Sequence, residues 1–148
     1  MIASTMLATP VMLGIVLFVM VPAEDRFLVP PTWVLVAQFA GAAVLFVLCE
    51  FLFYRAPAVQ PGTDPAEAQQ LAMNAYQSSF FVRLAVCELL AVASLAAAFV
   101  IAPVSWLTYV GGGVLSVLLL VVHVLPTERT FAKTRESLER EDARVPLF

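Results

Sequence analysis

A chain of 148 residues that is 61% hydrophobic and 13% charged, with mean hydropathy +0.93, holds more apolar surface than a soluble fold of this length can hide. Soluble domains carry about 25% charged residues, so the implied solvent is lipid. A formal net charge of −3, with the basic residues of the C-terminal tail interleaved with acids, excludes nucleic acid as a partner.

Four apolar segments follow in chain order, at about 3–21, 32–54, 78–102 and 105–125. Each comes close to or exceeds the roughly 20 residues a helix needs to cross about 30 Å of hydrocarbon. The expected fold is an all-α integral membrane protein: a four-transmembrane-helix bundle over 1–126, with a short cytoplasmic helix before the third crossing and a cytoplasmic C-terminal helix within 127–148. The first segment is expected to be a retained helix, because a signal peptide opens with a basic region and nothing before Arg26 is basic.

Basic residues set the orientation. Arg26 is alone on the side shared by "PAEDRFLVPP" and "APVSW", whereas Arg55, Arg83, Arg129, Lys133, Arg135, Arg140 and Arg144 fall on the other. The positive-inside rule then places both termini and the middle loop in the cytoplasm, in a multi-pass protein of the cell membrane. Trp33, Trp106 and Tyr109 fall near the outer boundary, and Tyr54 and Tyr76 near the inner one, as an aromatic belt requires. The short, Pro103-containing connection makes the third and fourth crossings an antiparallel hairpin.

In the middle loop "RAPAVQPG" breaks the second helix, and "DPAE" starts the next, with Asp64 as N-cap, Pro65 in the first helical position and Glu67 in the first turn. From there the helix either runs into the third crossing or meets it at a bend near Ser78. Pro126 ends the fourth helix and Thr127 can cap a tail helix, with Glu136 and Arg140 paired at i, i+4. Phe131 and Leu138 make a narrow apolar stripe on it, which favours a solvated or headgroup-lying helix over a docked one.

Polar residues inside the apolar segments are the candidate functional positions. Arg83 lies only about 8 Å below the inner boundary at 1.5 Å per residue. Glu50, about 6–8 Å deep on the second helix, is at the same level, so the two are expected to form an ion pair stapling these helices. His123 belongs to the same layer as a hydrogen-bonded interfacial residue. Glu88 lies about 16 Å deep and about 140° around the helix from Arg83. There it is either a protonated, hydrogen-bonded clamp, with Ser116 of the fourth helix as donor, or a group that handles protons or cations. Small residues four apart, Ala37 with Gly41, Ala93 with Ala97 and Gly112 with Ser116, allow close helix approach. Cys49 and Cys87 are expected to be small buried hydrophobes rather than a disulfide or metal pair.

Four crossings with one midmembrane glutamate, Glu88, resemble the rotor proteolipids of rotary ATPases, whose hairpins carry one ion-binding carboxylate. The sequence departs from them in having a single "GGG" cluster where they repeat glycine along the inner helices. No phosphate-binding loop, metal pair or nucleophile with its base is visible, so an enzyme is not expected, nor a cofactor. The reading that remains is a non-catalytic helical subunit packing against itself or a larger membrane complex. The alternative is a proton- or cation-handling protein that uses Glu88.

Overall fold

The computed structural model describes residues 2–55, 59–60 and 62–139, with side chains from residue 8 onward. All regular elements among them are helical: α1 Ile2–Met20, α2 Thr32–Phe51, α3 Pro65–Val100, α4 Trp106–His123 and α5 Glu128–Leu138. Three of them, α2, α3 and α4, are long and apolar enough to cross a membrane. In α1 the stretch with described side chains, Ala8–Met20, is also apolar.

Local chemistry explains the boundaries. The Asp64 carboxylate accepts from the Ala66 N–H at 2.9 Å, and Pro65 follows it, so one otherwise orphaned amide is satisfied where α3 begins. Ser105 caps α4 by accepting from Leu107 N at 3.1 Å. Its own hydroxyl donates to the carbonyls of Leu28 at 2.6 Å and Arg26 at 3.2 Å, tying the two loops at that end together. Thr127 and Thr130 exchange side-chain and backbone bonds in a capping box that starts α5.

The separate short helix expected before the third crossing is not formed, because α3 runs unbroken for 36 residues. Asn74, Gln77, Ser78 and Ser79 each cost a helix less than about 1 kcal/mol, too little to break it without a proline or glycine. The Ser79 hydroxyl also bonds the Phe53 carbonyl just beyond α2, and Ala68 and Ala72 are buried against Leu138 of α5. At 1.5 Å per residue α3 is about 54 Å long, well over a hydrocarbon thickness. Ser79 marks the level at which α2 ends.

The tail helix is docked rather than free. Leu138 is buried with Ala68 and Ala72, and the Phe131 ring stacks on Tyr76 at 5.4 Å, so both stripe residues meet α3. Arg140 and Arg144, the expected Glu136–Arg140 pair and part of "RAPAVQPG" lie outside the described residues.

At the centre, α4 is the most buried of the three long helices and packs on α1, α2 and α3, most extensively on α3. Arg83 near the start of the apolar part of α3 meets the end of α4, and Ser94 further along meets Gly112 near its beginning, so the two are antiparallel. The side chains are distributed inside out. Gln38, Arg83, Ser94, Thr108, Ser116 and His123 are buried, whereas Trp33, Phe39, Val47, Phe81, Leu89 and Val100 are exposed. That distribution suits a bundle solvated by lipid and glued by interior polar groups.

Candidate functional site

Where the ends of α2 and α4 meet α3 and α5, all four helices contribute to one polar cluster. Arg83 is 1% exposed. Its Nη1 donates to the His123 carbonyl at 2.8 Å, its Nε to the Ser79 carbonyl at 3.1 Å, and its guanidinium carbon lies 4.2 Å from the centre of the Tyr54 ring. The last carbonyls of a helix lack intrahelical partners and carry the negative end of its dipole. Arg83 therefore finds its counter-charge at the C-terminus of α4. The Tyr54 hydroxyl also donates to the His123 carbonyl, at 3.3 Å, and lies 3.4 Å from His123 Nδ1.

The expected Glu50–Arg83 ion pair is not present. Glu50 pairs with α5: Arg129 Nη2 lies 3.0 Å and 3.1 Å from its two oxygens, and Lys133 Nζ bonds Oε1. Arg129 and Lys133 are four apart and so share a face of α5, which meets the rim of the bundle where Glu50 remains partly exposed. His123 Nδ1 is 3.9 Å from the other Glu50 oxygen, and the Phe46 ring packs edge-on to the imidazole at 4.9 Å. His123 Nε2 is buried without a hydrogen-bond partner among the described residues.

Glu88 and Ser116 are not brought together. Ser116 donates instead to the Cys87 carbonyl at 2.7 Å. The inward face of α3 is Cys87, Ala91, Ser94 and Ala98, all buried, and Glu88 stands one residue, about 100°, around from it. The carboxyl is half-buried on the outer flank, beside exposed Ala85, Leu89 and Val92, with no hydrogen bond or ion pair among the described residues. Cys49 and Cys87 are both buried and free, in one apolar cluster with Leu90 and Leu120.

A second polar cluster lies toward the other end of the bundle and centres on Gln38, which sequence reasoning passed over. Gln38 Nε2 donates to the Thr108 carbonyl at 2.7 Å and to Ser94 Oγ at 3.2 Å. "GGG" exists around this contact. A Cβ on Gly111 would come within 2.5 Å of Gln38 Oε1, and one on Gly112 would overlap the Ser94 hydroxyl. The available signal was a glutamine inside an apolar run, which intramembrane carboxylates and bases had overshadowed.

Trp106 and Tyr109 fix α1 to α4. Trp106 Nε1 donates to the Gly14 carbonyl at 2.9 Å, and the Tyr109 hydroxyl to the Pro10 carbonyl at 2.5 Å. The Tyr109 ring fits because Gly14 and Gly113 lack Cβ atoms, which would stand 3.1 Å and 3.0 Å from it. Of the small-residue pairs, Gly112 and Ser116 are buried between α3 and α4. Ala37 and Ala93 are exposed, and Gly41 and Ala97 are half-buried.

Among the described residues no group of three His, Cys, Asp or Glu side chains could hold a metal ion. What the interior polar groups do is lock helix to helix. Comparison with known proteins finds no matching family model, no matching curated protein and no matching solved structure.

Proposed function

We propose that this chain is a non-catalytic helical subunit of a cell-membrane assembly, threaded four times with α1 as the first crossing and with both termini in the cytoplasm. In this reading it packs the outer flank of α3 against a transmembrane helix of a second copy or of a larger complex. One observation carries the proposal: Glu88 stands half-buried on that flank without a hydrogen-bond or ion-pair partner among the described residues. A carboxylate left to lipid costs at least about 2.5 kcal/mol, and protonating it instead costs about 1.36 kcal/mol for each pH unit above its pKa. A donor from a neighbouring helix removes either penalty. The exposed Ala85 and Ala96, about 60° and 80° around α3 from Glu88, let another helix approach closely.

The test is cross-linking in native membranes from a cysteine at position 92, one turn from Glu88 and exposed. Cys49 and Cys87 are fully buried and give no background. Val92→Cys should yield one adduct of defined mass, a dimer or a conjugate with one partner, and adding Ala96→Trp should abolish it. Glu88→Gln should preserve the adduct, since the amide still donates and accepts in the same shape. No adduct, or a ladder of random collision products, would defeat the proposal.

A further inference from the structure

We infer that the cavity at the inner end of α2 is a binding site for the headgroup of an anionic phospholipid. This inference requires membrane insertion but not the subunit role of the α3 flank. The cavity, of about 480 Å³, opens between the residues that follow α2, the early turns of α3 and Leu138 of α5. Its polar lining is Arg55, Asn74, Ser78 and Ser79, and its apolar lining includes Leu71 and Val82.

Three features select the ligand. The first is depth. Ser79, which also lines the cavity, bonds the carbonyl of Phe53, so the cavity straddles the level where α2 ends and the hydrocarbon boundary falls. The second is the division of chemistry along α3: Asn74 and Ser78 lie four apart on one face, and Val82, four further, is exposed toward the lipid side together with Leu52. A molecule with a polar head and an apolar chain matches that order, whereas a soluble anion would leave the lower wall uncovered. The third is charge. Arg55 is exposed and has no carboxylate partner among the described residues, while Glu139, next to the lining Leu138, is held by Arg135 at 3.0 Å. A guanidinium meets a phosphate through paired N–H donors. The Asn74 side-chain Oδ1 accepts from Gln70 Nε2 at 3.1 Å, which leaves the Asn74 NH₂ group as a further donor to phosphate oxygens.

Native mass spectrometry of the purified full chain in a mild detergent tests this. The probes are phosphatidylglycerol, phosphatidylcholine with the same acyl chains, and glycerol phosphate as a chainless competitor. Phosphatidylglycerol should be retained about tenfold better than phosphatidylcholine, the ratio expected of one charged contact. Arg55→Gln should erase that preference. Val82→Trp, which fills the apolar wall and leaves Arg55 in place, should lower retention of phosphatidylglycerol itself. Equal retention of the two lipids, an undiminished preference in Arg55→Gln, or displacement of the lipid by glycerol phosphate at equal concentration would each overturn the inference, the last in favour of a soluble phosphate site.

Discussion

Arg83 and His123 are joined by a bond from a guanidinium on α3 to a main-chain carbonyl at the end of α4, 2.8 Å long and buried. Arg83 thus acts as a C-cap supplied by another helix. Arg83→Leu removes the charged donor and leaves a buried carbonyl with one weaker partner in Tyr54. A hydrogen bond to a charged group contributes about 1.5–3 kcal/mol, so the detergent-solubilised variant should lose roughly 2 kcal/mol in thermal unfolding. Arg83→Lys should lose less. A variant as stable as the parent would show that α4 does not need this cap.

Glu50 acts on a different element, because its partners Arg129 and Lys133 are both on α5. Glu50→Gln should leave the melting of the bundle within about 1 kcal/mol of the parent, as partly exposed pairs are worth little. The α5 amides should exchange hydrogen roughly fivefold faster, a change confined to 128–138. Exchange that quickens equally in α3 would mean that Glu50 holds the bundle and not the tail helix.

Gly112 is the tightest small-residue contact in the bundle, since any Cβ there collides with Ser94. Gly112→Ala should cost about 1–3 kcal/mol through overpacking. Ser94→Gly in the same chain removes the colliding atoms, so the double variant should recover at least half of that loss. Additive losses would place the strain elsewhere.

The threading can be checked with a thiol reagent that does not cross membranes. In intact cells Asp25→Cys should label from outside and Glu67→Cys only after permeabilisation, with the buried native cysteines silent. The reverse pattern would invert the bundle.

Helix starts and interruptions were legible in the sequence because they are set by neighbours in the chain: Asp64 with Pro65, Thr127, and the Pro103 connection all act as their local chemistry requires. The polar interior was legible only in part. Counting residues from a boundary gives the depth of a side chain, and it put Glu50, Arg83 and His123 in one layer, where they are found. It does not give the direction in which each points around its helix. Arg83 therefore turned to a carbonyl where a carboxylate was expected, and Ser116 turned to Cys87 and away from Glu88. The docking of α5 was hidden for a related reason. Two apolar residues looked too few to bury, but Leu138 and Phe131 are joined by charges whose partner, Glu50, is 79 positions away from Arg129. "GGG" was visible as a packing signal, and its cause, Gln38 with Ser94, needed the third dimension.

The two ways of holding charge in this molecule respond differently to ionic strength. Arg129 is 47% exposed, so its attraction to Glu50 weakens as the Debye length falls from about 10 Å at 0.1 M salt to about 3 Å at 1 M. The Arg83 contact is shielded by the bundle and feels little of that screening. Brine should therefore loosen α5 on its seat while the crossings stay assembled, making the tail helix the first part of the fold to answer to the electrolyte around it.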